Sequence, residues 1–177
     1  MDKIQAMAKN IRLVIFDVDG VLTDGSLFFD NNGEEYKAFN SKDGHGIRML
    51  LESDIQVAII TGRQSEIVKH RANNLQIDPE YVYQGYRDKR PAFKELLTKT
   101  KLSVEQIAYV GDDVIDLPIM SQVGVAIAVN DAHEFVQKHA DWVTQLPGGK
   151  GAVREVSEMI LESQGKLESL LHSYLDN

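Results

Sequence analysis

Apolar residues along this chain gather in short dense runs, each cut off by small and acidic residues. Ile11-Arg12-Leu13-Val14-Ile15-Phe16 is rich in β-branched side chains and nearly all apolar, the pattern of a strand covered on both faces. It stops at Asp17-Val18-Asp19-Gly20. Residues 55–60 stop at Thr61-Gly62-Arg63, 107–110 at Gly111-Asp112-Asp113, and 123–129 at Asn130-Asp131, with Trp142-Val143 as a last short strand. Between these runs the apolar positions fall at helical spacing. Ile47, Leu50 and Leu51 mark one helix, and Ile67, Val68 and Leu75 a second. Phe93, Leu96 and Leu97 mark a third, after Pro91, which is tolerated near a helix start; residues 131–139 read as a fourth. Strands alternating with helices predict right-handed βαβ units, hence an α/β fold: a Rossmann-like, doubly wound parallel sheet.

Two segments break the alternation. Ser26-Leu27-Phe28-Phe29 and Tyr36-Lys37-Ala38-Phe39 flank Asp30-Asn31-Asn32-Gly33, so a β-hairpin is predicted over about 25–40, projecting from the loop after the first strand. At the other end, Val153, Val156, Ile160, Leu167, Leu170, Leu171 and Tyr174 keep helical spacing interrupted at Gly165, giving a C-terminal helix and tail over about 151–177. The tail either frays or docks on another subunit.

The chain has 177 residues, the size of a single domain (1–177) able to bury about 70% of its unfolded surface. Net charge is −8, which disfavours a nucleic-acid backbone as the main partner. There is no Cys, hence no disulfide framework, thiolate zinc site or cysteine nucleophile. No apolar run approaches the roughly 20 residues that cross a bilayer, and no apolar stretch before Ile11 reads as a signal peptide. The expectation is a cytoplasmic protein without membrane or nucleic-acid partners.

Candidate chemistry follows the strands. In an open parallel sheet the carboxyl ends of the strands line one crevice, so Asp17 and Asp19, Thr61, Gly62 and Arg63, and Asp112, Asp113 and Asp116 converge. Asp17, Asp19 and Asp112 brought together repel unless a hard cation intervenes, which predicts a Mg²⁺ site that also recruits phosphate. Taken singly, each Asp also reads as a helix cap or loop residue. Other motifs fail on spacing. His133-Glu134 with His139 lacks the four-residue interval of a zinc helix. Gly148-Gly149-Lys150-Gly151 lacks the gap of a P-loop and reads as a flexible turn or a substrate-contacting loop. No Gly-x-Ser-x-Gly elbow exists. His45, in a glycine-flanked loop, and His70 and His172 read as surface residues.

Asp17-Val18-Asp19-Gly20-Val21-Leu22-Thr23-Asp24, Thr61-Gly62-Arg63, Lys89 within Asp88-Lys89-Arg90-Pro91, and Gly111-Asp112-Asp113-Val114-Ile115-Asp116 together resemble the four ordered motifs of the haloacid dehalogenase-like hydrolase superfamily. The resemblance implies Asp17 as a nucleophile forming an aspartyl-phosphate and Asp19 as acid, then base. It implies Mg²⁺ on Asp17, Asp112 and the backbone carbonyl of Asp19, with Thr61 and Lys89 holding the transferring oxygens. Asp113 and Asp116 would stand one layer back, orienting Lys89 or metal-bound water. An Asp at position 19 suits phosphate-ester hydrolysis rather than dehalogenation.

The intervals from Asp17 to Thr61 and from Thr61 to Lys89 leave no room for the cap domain of larger members. A capless site on a small metabolite would be wet, so either the substrate is macromolecular or a neighbouring subunit supplies the lid. The hairpin and the apolar tail favour a homo-oligomer, a tetramer. Asn40-Ser41-Lys42-Asp43-Gly44-His45-Gly46-Ile47 and Gly148-Gly149-Lys150-Gly151-Ala152-Val153-Arg154-Glu155, with the motifs above, resemble the Kdo 8-phosphate phosphatase family. This implies a small phosphorylated sugar acid as substrate, on the route to lipopolysaccharide, with Gly62 and Arg63 contacting it and Arg63 gripping its carboxylate. A nine-carbon sugar acid 9-phosphate fits the same motifs. A phospho-accepting receiver domain shares the carboxylate cluster, but lacks an acid/base two residues after its acceptor.

Overall fold

The computed structural model describes residues 2–175. Helix α1 (Asp2–Ala8) leads into β1 (Leu13–Phe16), followed by a π-type turn at Val18–Leu22 and a hairpin of β2 (Phe28–Phe29) and β3 (Glu35–Tyr36). Then come α2 (Ser41–Glu52), β4 (Gln56–Ile60), α3 (Glu66–Asn74), β5 (Val82–Tyr83), α4 (Arg90–Thr100), β6 (Ile107–Gly111) and α5 (Leu117–Met120). The chain continues through β7 (Val125–Ala128), α6 (Glu134–His139), β8 (Trp142–Val143), α7 (Ala152–Ser163) and α8 (Leu167–Ser173).

Six strands form one parallel sheet in the order β5-β4-β1-β6-β7-β8. The strands β1, β6 and β7 are buried along their whole length, which explains their unbroken apolar runs. From β1 the chain moves to β4 and β5 on one side, then returns to β6, β7 and β8 on the other. Right-handed crossovers therefore divide the connecting helices between the two faces. The reversal of direction places a switch point at the carboxyl end of β1, flanked by the ends of β4 and β6. Phe16 is in register with both Ile59 and Val110, so the residues just after these three strands lie side by side.

Helix packing explains several glycines. Helices α2 and α7 pack on each other, and a Cβ at Gly46 would sit 3.0 Å from Arg154 Cα and Ser157 Oγ. Asn40 caps α2 and Ser65 caps α3 through their side chains. The free N–H groups that open α7 are met by a carboxylate from α2: Asp43 accepts from Gly151 N at 3.2 Å and Arg154 N at 2.9 Å.

Some expectations change. His45 lies inside α2, exposed, not in a loop, because close packing of the helix outweighs the poor helical propensity of Gly44 and Gly46. Residues 131–139 shrink to α6, with His133 Nδ1 accepting from Phe135 N as its cap. The strand read over 123–129 is β7 alone. The segment after 151 is two helices broken at Gly165 (φ +67°), and the part of the tail at 176–177 lies outside the described residues. The run Gly148-Gly149-Lys150-Gly151 is not a loose turn. A Cβ at Gly148 would collide with the Gly20 carbonyl, and one at Gly149 with the backbone of Thr23 and Asp24. Helices α1 and α5 had no counterpart in the sequence reading.

Candidate active site

Three strand ends supply the site. Asp17 follows β1, Thr61 follows β4, and Asp112 follows β6. With Asp19, Gly25, Gly62, Arg63, Asp113 and Ile115 they line one open cleft of about 230 Å³. The turn after Asp17 is held by Thr23, whose Oγ1 donates to the Val18 carbonyl and accepts from Gly25 N. Gly20 takes φ +86° there, and a Cβ on it would run into the Asp112 carboxylate. Glycine is therefore required both for the turn and for the approach of the two acidic segments.

Beneath the cleft sits a buried ionic cluster. Lys89, at the start of α4, places Nζ 2.8 Å from Asp17 Oδ2, 2.6 Å from Asp116 Oδ1 and 3.1 Å from the Tyr109 hydroxyl. The Lys89 side chain is fully buried. Asp116 is saturated: Oδ1 also accepts from the Tyr109 hydroxyl at 2.6 Å, and Oδ2 accepts from Asp112 N and Asp113 N at 3.0 and 3.2 Å. Asp17 Oδ1 accepts from Val18 N at 2.6 Å. The carboxylates of Asp17, Asp112 and Asp116 lie within 4.8 Å of one another.

Charge in this cluster is out of balance. With every group ionised, three carboxylates against one ammonium would place a net −2 in a poorly solvated spot. Burial pushes the Asp17 carboxyl up to about 6, against the pull of Lys89 and with the help of Asp116. Burial and then the charges of Asp17, Asp116 and Asp113 push Asp112 up to about 8. Burial works against the Lys89 ammonium, but Asp17 and Asp116 outweigh it and its pKa is raised. A divalent cation matches the deficit. Because Asp116 has no oxygen to spare, Asp17 and Asp112 are the carboxylates open to it, the number that Mg²⁺ commonly takes alongside water and phosphate.

A second ionic group stands at the mouth. The side chain of Lys37, one residue past β3, is 1% exposed and bonds Asp19 Oδ1 and, at 3.2 Å, Glu35 Oε1. Glu35 also takes Arg63 Nη2 at 2.9 Å, and Arg63 Nε lies 3.9 Å from Asp19 Oδ2. The hairpin thus turns two charged side chains inward while Leu27, Phe28, Phe29 and Tyr36 stand about half exposed.

Every residue named from sequence lies in or directly behind this cleft, with three differences of role. Asp113 makes no hydrogen bond to Lys89 among the described residues, its Oδ1 accepting from Val114 N at 2.7 Å, which leaves metal-bound water as the alternative for it. Arg63 reaches the cleft already paired with Glu35 rather than as a free guanidinium. The Asp19 side chain is turned to Lys37 and takes no part in the three-carboxylate cluster. Sequence reasoning missed Lys37, Glu35 and Tyr109. Tyr109 sat inside an apolar strand run and read as core; the polar tip of a buried tyrosine was the available signal.

Comparison with known proteins agrees with this geometry. Residues 82–154 match the haloacid dehalogenase-like hydrolase family. The chain is 53% identical over 165 residues to the 3-deoxy-D-manno-octulosonate 8-phosphate phosphatase of Shigella flexneri, covering 93% of this chain and 87% of that one. The crystal structure of the phosphatase of the same name from Yersinia pestis superposes with a TM-score of 0.92 at 53% identity, covering 94% of this chain and 89% of that chain. The one from Moraxella catarrhalis, in complex with magnesium ion, phosphate ion and a KDO molecule, superposes with a TM-score of 0.95 at 39% identity, covering 98% of this chain and 99% of that chain. By identity across nearly its whole length, the chain belongs to the 3-deoxy-D-manno-octulosonate 8-phosphate phosphatase family of haloacid dehalogenase-like hydrolases.

Proposed function

We propose that this protein is a magnesium-dependent phosphomonoesterase that hydrolyses 3-deoxy-D-manno-octulosonate 8-phosphate to Kdo and phosphate, in lipopolysaccharide synthesis. The observation that carries the reaction type is the buried Asp17 carboxylate, held by Lys89 at 2.8 Å and facing Asp112 in a cleft at the switch point. The substrate follows from the relatives that bear that name.

Asp17 attacks phosphorus; its new O–P bond forms as the bond to the sugar oxygen breaks. Asp19 gives its proton to that leaving oxygen, then takes one from the water that attacks the aspartyl-phosphate, and Asp17 is restored as phosphate leaves. Lys89 fixes the direction of the Asp17 carboxylate, and Asp116 with Tyr109 fixes Lys89. Thr61, buried at the cleft wall, holds the transferring oxygens, and Lys89 would join it by releasing one of the three partners its ammonium has here, Asp17, Asp116 and Tyr109. Magnesium, held by Asp17, Asp112 and the Asp19 carbonyl, supplies charge neutralisation between nucleophile and phosphoryl group.

The cleft, about 230 Å³, falls short of the roughly 300 Å³ at which pockets enclose a whole ligand, so it takes the phosphate end and leaves the sugar outside. Gly62 and Arg63 would contact that part, and a second copy in a homotetramer would cover it. The half-exposed aromatics of the hairpin, with Leu171, Tyr174 and Leu175 near the C-terminus, supply apolar surface for such contacts. No helix among the described residues is long and apolar enough to cross a membrane, and we place the enzyme in the cytoplasm, which a chain without Cys suits.

The test is phosphate release from Kdo 8-phosphate and from a nine-carbon sugar acid 9-phosphate, with Mg²⁺ or with EDTA. A Mg²⁺-dependent preference for Kdo 8-phosphate is expected. Preference for the nine-carbon ester would keep the mechanism and replace the substrate. Light scattering tests the tetramer.

A further inference from the structure

Lys37 has no part in the reaction as derived above, yet it is among the best-buried charges near the cleft. Its side chain is 1% exposed, and its ammonium lies between the Asp19 and Glu35 carboxylates. It comes from a hairpin whose strands are two residues each and whose outer face is half exposed. Burying an ammonium is a poor way to dock such a hairpin, since an apolar side chain of the same length would do so without the desolvation penalty. What a methionine could not do is hold Asp19. Lys37 grips Oδ1, while Oδ2 has no hydrogen-bond donor among the described residues; Arg63 Nε stands 3.9 Å from it. Glu35 keeps Lys37 in place and is itself held by Arg63 at 2.9 Å.

We propose that Lys37 is a positioning residue for the acid–base group: by holding Oδ1 of Asp19 it leaves Oδ2 as the atom that gives and takes the proton. The hairpin thereby belongs to the machinery of proton transfer as well as to the outer surface. The inference rests on Asp19 acting as the acid, as proposed above.

The test separates leaving groups. A primary alkyl phosphate needs a proton on its departing oxygen, whereas p-nitrophenolate leaves without one. In Lys37→Met, kcat/KM for Kdo 8-phosphate is expected to fall between about tenfold and a hundredfold, up to the lower end of what a general acid contributes because Asp19 itself remains, while kcat/KM for p-nitrophenyl phosphate stays within about threefold. Lys37→Arg, which keeps the charge, is expected to recover most of the loss. An equal fall for both substrates would mark Lys37 as structural and overturn the proposal, as would no fall for either. Thermal unfolding checks each variant; if Lys37→Met does not fold, Lys37→Gln carries the same comparison. If the wild-type protein hydrolyses p-nitrophenyl phosphate but not Kdo 8-phosphate, the substrate reading falls by itself. The split is then read with ribose 5-phosphate, where its presence supports the role of Lys37 and its absence overturns it.

Discussion

The site contains two ionic groups of similar composition and opposite design. The inner one, Asp17, Asp112, Asp116 and Lys89, grows from the ends of β1 and β6 and the start of α4 and would carry a net −2 with every group ionised. The outer one, Asp19, Glu35, Lys37 and Arg63, sums to zero and hangs partly on a hairpin of two-residue strands. Burial and like charge raise Asp17 and Asp112 in the inner group, and a divalent cation is what would let both ionise together. The outer group balances itself and can position a carboxylate without attracting metal.

The contrast breaks most sharply at Asp17. Asp17→Asn keeps the shape but removes the nucleophile, so phosphate release should fall by at least about a thousandfold; a smaller loss would mean the inner group is not where the bond forms. Lys89→Met should destabilise the fold by about 3–5 kcal/mol in urea titration, because it leaves Asp17 and Asp116 buried without their cation. If Mg²⁺ fills the inner deficit, saturating it should raise the stability of the wild type by about 2–3 kcal/mol, seen as a higher Tm, and Asp112→Asn should lose most of that gain. The smallest effect belongs outside: Arg63→Ala should change stability by less than about 1 kcal/mol, since its side chain is 43% exposed. A larger change there would erase the distinction between the two groups.

The same contrast marks what the sequence disclosed. Asp17 and Asp112 were legible because each stands directly after an apolar strand run, and parallel sheets bring such positions together; Asp116 follows Asp112 in the same motif, at the start of α5. Lys37 was not, since nothing in its spacing from Asp19 signals contact; the meeting depends on how the hairpin folds back over the turn at Val18–Leu22. Gly44 and Gly46 were misread as loop residues because their use is in the approach of α2 to its neighbours, which local propensity does not register. Helix α1 was missed for a like reason: Ile4 and Ala8 are buried by the rest of the fold, and α1 packs on α7, far away in sequence.

Gly148 and Gly149, pressed against the turn that follows Asp17, set the timing of assembly. Gly149 N donates to the Val21 carbonyl at 2.9 Å, so the turn after β1 is completed by a segment 128 residues further along the chain. A ribosome-bound nascent chain can present β1 and its acidic turn long before the contacts that shape them exist, and closing so long a loop is slow. The acidic turn after β1 is thus expected to take its final shape only once the segment at Gly148 and Gly149 has been made and has folded back onto it.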